Sequence, residues 1–399
     1  MALKAKYQTS DFVFTGNPII LESEGYTSDP IKGGSFTVEY DGRHLYEGRF
    51  SSPLDIDISE IVNSWAQYYR EPIGESGEPW ELIERIVPED IEQTRRLKVT
   101  VRYNENDDEV YEMIALPGGI PRQQFKAYLK KGKDVFDSRL YGPAANFFLT
   151  SRTSGWRIEM KETELYPLYF LSTGVSMRIK IMDPVSGKDL GYELPGGVYT
   201  LDIDMLRREM ILETNSLVNV FDIYKEVDRA GIEFACRIVI TPAKVAKERY
   251  GLKFRNSFGV FEIFDVTGKM EESISFPEGE ESDYRRFDPT TRRFSNLRER
   301  LEGTGFMTVA TPIEPGQRNM FKDLLASDET YLLGAFKEPV RVNVTADELK
   351  FQHRRETPES VSLKMTLTDP DTYFGDDISG PSDSQRPRVH TKQFTKQFN

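Results

Sequence analysis

Three histidines, one cysteine and a few closely spaced carboxylates are the residues of this chain with the right types for catalysis. His44 falls in a predicted hairpin, His353 in a polar strand and His390 in a polar C-terminal stretch. No HxH, HExxH or CxxC spacing joins them, so neither a zinc centre nor a nucleophile–base pair is expected. Cys236 lies inside the apolar run IEFACRIVI and reads as a small core residue, not a nucleophile. A single cysteine also allows no disulfide within the chain.

The carboxylates come in short-range pairs. LDID occurs at 54–57 and again at 201–204, which places Asp55 with Asp57 and Asp202 with Asp204. Calcium needs more oxygens close by, so these pairs are expected to be solvent-facing strand residues. The loop NENDDE has neither the glycine nor the distal glutamate of an EF-hand and reads as a turn. Glu159, Glu162 and Glu164 are the types a glycosidase uses, but their spacing sets no two of them at the separation that chemistry requires. There is no GxxxxGK[ST] and no strand–GxGxxG–helix. The expectation is therefore no catalytic residue, no metal and no cofactor.

Aromatic and basic clusters are the better candidates. Trp65, Tyr68, Tyr69 and Trp80 lie close together, Trp156 lies further on, and YPLYF follows at 166–170. Such rings stack on sugars or anchor protein interfaces, and the competing reading is core packing. The segment YRRFDPTTRRFSNLR carries Arg285, Arg286, Arg292 and Arg293 beside aromatic residues. It could meet an acidic face of a neighbouring subunit, or it could be a solvated loop. At the end of the chain TKQF occurs twice in tandem, which offers Phe394 and Phe398 as docking residues.

The elements that would hold these residues are mostly strands. GSFTVEYDGRHLYEGRF alternates, turns at Asp41-Gly42 and alternates again, a strong hairpin signal. Ser59 is a plausible cap for the helix-like EIVNSWAQYY. FFLTSRT, YPLYFL, VSMRIKIMD, VYTLDID, SLVNVFDIY and FACRIVI are strand-like at short spacing. FRNSFGVFEIFDVTGK predicts two strands with a bend at Asn256 to Gly259. A helix is predicted after Pro315, with Met320, Phe321, Leu324 and Leu325 on its apolar face. Both LDID copies pass from a strand-like to a helix-like run, which fits a repeated supersecondary piece. The fold class expected is mainly β: tandem β-sandwich-like domains with short inserted helices and a disordered C-terminal tail. The boundaries read as an N-terminal β domain over 1–117, a connector over 118–144, a second β domain over 145–250, a third α+β domain over 251–374 and a flexible tail over 375–399.

Bulk properties narrow the partners. The chain has 399 residues, 12% of them aromatic, and a net charge of −13. That charge argues against nucleic acid as a partner. No apolar run is long enough to span a membrane. The opening MALKAKYQTSDFVF has no apolar core, so no signal peptide is expected and synthesis is placed in a cytoplasm.

Three stretches carry a family resemblance: NFFLTSRT with YPLYFLS, FRNSFGVFEIFDVTGK, and FKDLLASDETYLL with VRVNV and SVSLKMTLTD. In this order they resemble structural proteins of tailed phages and prophages of Bacteroides-like gut bacteria, especially tail or baseplate-associated components. The N-terminal GNPIILE and YDGRHLYEGRFSSPLDIDISEIV are similar to the opening β domain of the same proteins. The resemblance spans most of 10–370 and rests on apolar strand patterns. It implies a virion protein of the tail, without enzymatic activity, assembled in the host cytoplasm. Its partners would be other tail or baseplate proteins and copies of itself. The alternative is a carbohydrate-binding or receptor-binding module of the same particle, with Trp65, Trp80 and Trp156 against a glycan. An enzyme such as a tail-borne glycan hydrolase is the third class, and no constellation of residues supports it.

Overall fold

A computed structural model describes residues 3–6, 12–23, 34–50, 55–66, 78–85, 96–102, 108–120, 122, 125–127, 148–154, 156–172, 177–227, 231–275, 282–299, 304–346 and 359–368. Its fold is mainly β, as expected. The chain divides into two compact units that interleave in sequence. The first unit is built from 1–243 with 255–263 and 319–323, and the second from 244–254, 264–318 and 324–399.

The first unit holds seventeen strands of the described chain. They are β1 (Leu3–Lys6), β2 (Phe12–Phe14), β3 (Ile20–Ser23), β4 (Gly34–Tyr40), β5 (Arg43–Phe50), β6 (Asp55–Asp57), β7 (Trp80–Arg85), β8 (Arg96–Arg102) and β9 (Asp108–Leu116). There follow β10 (Thr153–Ser154), β11 (Arg157–Lys161), β12 (Leu168–Ser172), β13 (Met177–Met182), β14 (Asp189–Leu194), β15 (Gly197–Leu201), β16 (Val220–Val227) and β17 (Gly231–Thr241). Its helices include α1 (Ser59–Asn63) and α2 (Ile203–Thr214).

These strands form four sheets, ordered β1-β3-β6, β2-β9-β8-β4-β5, β12-β15-β7 and β10-β11-β17-β16-β13-β14. Three apolar clusters lie between them. Leu21 packs with Val38, Val99 and Val101, which joins the first sheet to the second. Phe12, Phe14 and Leu116 pack with Tyr169, Leu171 and Val198, which joins the second to the third. Trp80, Phe170 and Leu201 pack with Ile181, Phe221, Ile223 and Ile238 and with Leu206 and Met210 of α2, which joins the third to the fourth. The third sheet is therefore covered on both faces. That is why β12, LYFLS, and β15, GVYTL, are buried at every position. A strand with two dry faces needs an unbroken apolar run, not an alternating one.

This layering corrects the expected boundary at 117. β7, from the N-terminal stretch, pairs antiparallel with β15 from the next stretch, with Trp80 opposite Leu201 and Arg85 opposite Gly197. The segments 1–117 and 145–243 share one set of cores, so they form one unit. Only parts of the expected connector and none of the expected tail are among the described residues.

Three loops of this unit touch at their backbones. Gly16 N–H donates to the Gly118 carbonyl at 2.8 Å, and Gly119 N–H donates to the Ser257 carbonyl at 2.6 Å. A Cβ on Gly259, whose φ is +81, would lie 2.2 Å from the Pro117 carbonyl oxygen. Only glycine tolerates both the approach and the dihedral. Asn256 holds its own turn by accepting from Phe258 N–H at 3.0 Å and Val260 N–H at 3.2 Å, and its amide donates to the Leu149 carbonyl at 3.0 Å. The bend predicted at Asn256 to Gly259 is present.

The second unit is one seven-stranded sheet and a two-stranded ribbon. Its strands are β18 (Arg249–Arg255), β19 (Phe261–Thr267), β20 (Met270–Ser275), β21 (Ser282–Asp288), β22 (Arg293–Glu299), β23 (Thr304–Ile313), β24 (Thr330–Leu333), β25 (Val340–Ala346) and β26 (Glu359–Leu367). The sheet order is β19-β18-β24-β25-β26-β23-β20, and β21 and β22 form the ribbon. Leu252, Phe254, Phe264, Val309, Leu332, Val342, Leu363 and Met365 are buried residues of this unit. Helix α3 (Arg318–Ala326) follows a 3-10 turn at Pro315–Gln317, as predicted. Met320, Phe321 and Leu324 are fully buried on it, while Leu325 is half-buried.

The two LDID copies both end in a helix held by aspartate, but not by the same aspartate. In the first copy Asp57 accepts from Ser59 N–H at 2.9 Å and from Ile19 N–H at 3.0 Å. In the second copy Asp202 caps α2, accepting from Asp204 N–H at 2.9 Å and Met205 N–H at 3.0 Å. The capping position is shifted by two residues between the copies, so the echo is not one repeated piece. Asp57 is an exposed residue at the end of β6, as expected, whereas the expectation of a solvent-facing strand residue is corrected for Asp202, which caps α2, since orphan N–H groups at a helix start need an acceptor. Ser59 is likewise the first residue of α1, not its cap.

Candidate binding face of the six-stranded sheet

The outward face of the fourth sheet follows from strand alternation. On β16 Phe221 and Ile223 point into the core, which turns Asp222 and Tyr224 outward. On β17 Cys236, Ile238 and Ile240 point inward, and Phe234 and Arg237 outward. A bulge between Ile223 and Tyr224 brings Tyr224 opposite Phe234. Parallel pairing of β11 with β17 sets Trp156 beside them, its carbonyl accepting from Arg237 N–H at 2.8 Å.

An aromatic row results. Trp156 and Phe234 meet edge to face at 5.7 Å between ring centres, and Phe234 and Tyr224 at 5.6 Å. The Arg237 guanidinium lies 5.7 Å from the Trp156 ring centre. It also grips Asp222 with two hydrogen bonds of 2.5 and 2.7 Å. This contact holds the guanidinium pKa above its usual value. Trp156 remains 49% exposed, so one ring face is open to a partner.

Along the same face runs a row of ion pairs. Arg178 bridges Glu226 at 3.7 Å and Glu193 at 4.0 Å, and Lys180 meets Asp189 at 3.1 Å. They surround a shallow concavity of about 300 Å³ that also takes in Gly191, Tyr192 and Ile232. Gly191 leaves an open position there, since a Cβ on it would meet nothing within 4 Å. The face thus combines flat rings, fixed ion pairs and a gap, a composition suited to recognition.

A second polar group is buried in the same unit. Ser151 donates its N–H and its hydroxyl to Glu262, at 3.2 and 2.9 Å, and Asp323 accepts from Ser257 N–H at 2.8 Å. Burial, with the charge of Glu262 added, pushes Asp323 up to about 6. Beside Ser151, Arg152 and Glu164 form a buried ion pair at 2.8 Å, and Arg152 also donates to the Ile263 carbonyl. These groups pin 150–152 to 256–263, and 256–263 to Asp323, all within the first unit.

The sequence candidates fall as follows. Trp156 is on the aromatic row, and Trp65 is 51% exposed just after α1. Trp80 is 8% exposed, edge to face with Phe170 at 5.6 Å and Tyr192 at 6.0 Å. Its interface role is corrected, because the ring is used up in the core between the third and fourth sheets. Leu168, Tyr169 and Phe170 of YPLYF are core as well, on the two faces of the third sheet. Arg285 and Arg286 lie on β21, opposite Asn296 and Ser295. Arg292 and Arg293 are exposed at the turn of that ribbon, with Arg292 in the left-handed region at φ 52. The structure does not bring these arginines together with Trp156 or Trp65 in one described site. Tyr68, Tyr69, Phe394 and Phe398 lie outside the described residues.

Glu159, Glu162 and Glu164 are each engaged by an arginine, Arg157 at 2.7 Å, Arg207 at 2.8 Å and Arg152 at 2.8 Å. Cys236 is fully buried, and burial pushes its thiol up. Among the described residues no cluster of three His, Cys, Asp or Glu could hold a metal, and no helix is long and apolar enough to cross a membrane. Sequence reasoning missed Tyr224, Phe234, Arg237 and Asp222. The available signal was alternation in VFDIYKEV, whose outward positions carry Asp222 and Tyr224, whereas Phe234 and Arg237 have opposite parity in EFACRIVI and share a face only through the bulge. No protein-family model matches this chain, and no curated protein matches it in sequence.

Proposed function

We propose that this chain is a non-enzymatic structural protein of a virion tail or baseplate, assembled in the cytoplasm of a bacterial host. It works by joining copies of itself and other tail proteins through its β faces. The observation that carries the reading is the half-exposed aromatic row of Trp156, Phe234 and Tyr224 with Arg237 fixed beside it. Aromatic residues and arginine, held rigid by their own neighbours, are what protein interfaces concentrate at their centres. The phage-like strand patterns at 146–172, 254–269 and 321–369 support the particle in which it acts. The engagement of Glu159, Glu162 and Glu164 by arginines supports a role without catalysis.

Light scattering over a concentration series tests this, with negative-stain imaging of each species. Discrete oligomers or rings that weaken roughly 30-fold or more in Trp156→Ala support assembly through this face. A wild-type chain that stays monomeric and binds no tail component overturns it. The second reading, a glycan module, is favoured by the half-exposed Trp156 ring and by a shallow concavity elsewhere on the same sheet. Sugar binding on a glycan array, lost in Trp156→Ala or Trp65→Ala, would favour it over the scaffold.

A further inference from the structure

We infer that the edge strand β14 is the docking site for the C-terminal segment 391–399 of another copy of this chain, added as a further strand. The inference rests on the assembly reading and names the surface and the segment that would carry it. β14 is the last strand of the six-stranded sheet among the described residues, bonded on one side to β13. Every second residue of an edge strand turns its N–H and C=O away from the sheet, and an extended segment can pair with them. Leu190, Tyr192 and Leu194 of β14 face the core. Asp189, Gly191 and Glu193 are therefore on the outward face, and all three are exposed.

The C-terminal segment carries the complement at the same spacing. Arg388, His390, Lys392, Phe394, Lys396 and Phe398 all occupy alternate positions. In an extended strand they share one face. Over 385–399 there are Arg386, Arg388, Lys392 and Lys396 and no Asp or Glu, on a chain of net charge −13. Laid beside β14, Lys392, Phe394 and Lys396 match the acid–glycine–acid spacing of Asp189, Gly191 and Glu193. The match holds in either strand direction. Phe394 would then cover Gly191, where there is open space. An aromatic residue across from an edge glycine supplies the packing that the glycine lacks. Each lysine would meet a carboxylate, opposite charges being the favoured cross-strand pairs. Those carboxylates retain exposure despite their pairing with Lys180 and Arg178, at 41% for Asp189 and 60% for Glu193.

Another edge fits worse. β5 is the last described strand of the five-stranded sheet, and its register with β4 slips between Val38 and Glu39, which sets Arg43 opposite Tyr40 and Arg49 opposite Ser35 on different faces. With one glutamate, Glu47, against Arg43 and Arg49, it offers the basic segment no acid–glycine–acid row.

A mixing experiment on the full chain tests the inference. One variant reverses the edge, Asp189→Lys with Glu193→Lys, and a second reverses the segment, Lys392→Glu with Lys396→Glu. Circular dichroism checks that each still folds. Each alone should associate roughly tenfold or more weaker than wild type, since two attractive pairs become repulsive. An equal mixture should regain association, because each variant then finds a complementary copy. Phe394→Ala should also weaken association without touching the edge. If the wild type associates and the variants associate equally well, this inference is overturned and the assembly reading stands. A labelled peptide of 385–399 is titrated onto the wild-type chain in parallel. Saturable binding that the reversed edge abolishes supports the inference, and the lack of any saturable binding overturns it even if the chain assembles.

Discussion

Ser151 and Glu262, 111 residues apart, are joined twice, through the serine N–H at 3.2 Å and its hydroxyl at 2.9 Å. Glu262 is so placed that its charge acts on Asp323, which is already raised by burial to about 6. An acid raised in the folded state holds its proton more tightly there than in the unfolded chain. Its stabilising contribution is complete below its ordinary value of 3.8 and is lost as pH rises through about 6. Stability should therefore fall over that window by something of the order of 2 kcal/mol from this group. Asp323→Asn keeps an acceptor for Ser257 N–H and should flatten the fall. Urea unfolding at pH 4 and pH 7 on both chains measures it.

The Arg152–Glu164 pair is 3% and 1% exposed. Removing one partner leaves the other charged in a dry site, which costs about 3–5 kcal/mol. Glu164→Ala should be among the most destabilising single changes in the chain. Replacing both residues together with apolar side chains should cost less than Glu164→Ala alone. Denaturant midpoints of the single and double variants decide this.

Gly259 and Gly187 share a left-handed backbone, at φ +81 and +72, but not the same room. A Cβ at Gly187 meets nothing within 4 Å, while one at Gly259 strikes the Pro117 carbonyl. Gly187→Ala should cost about 1 kcal/mol, from the dihedral alone. Gly259→Ala should cost well over that, since the 117–119 loop must also move. Thermal melts of the two variants give the difference directly.

The two aspartates of the second LDID have different jobs. Asp202→Ala removes the oxygen that accepts from both N–H groups at the start of α2 and should cost about 1 kcal/mol. Asp204→Ala loses only an exposed pair with Arg208 at 2.8 Å and should stay within about 0.5 kcal/mol. Equal losses would mean that Asp202 is not the working cap.

What could be read from the sequence was local. Asp41-Gly42 turns its hairpin with both residues at positive φ, 50 and 70, as the dipeptide requires. The bend at Asn256, the helix after Pro315 and the closing strands β25 and β26 follow equally from nearby residues. The joining of distant strands could not be read this way. Nothing within WELIER says that it pairs with GVYTL, more than a hundred residues later, and that pairing buries Trp80 and merges two expected domains. The binding face was half visible. Trp156 stood out by type, whereas Tyr224 and Phe234 become neighbours only through the bulge at Ala235 of β17.

The interleaving of the two units also sets an order of events in time. The first unit is not complete until residues 319–323 have been made. At ribosomal speeds of about 5–20 residues per second, Glu262 emerges roughly 5–20 s after Ser151, and Asp323 later still. Through that interval the nascent chain holds Ser151 and Arg152 without the partners that lie downstream. A ribosome-stalled chain ending near residue 250 should therefore be open to protease around Ser151, and one stalled well past 323 should be closed there.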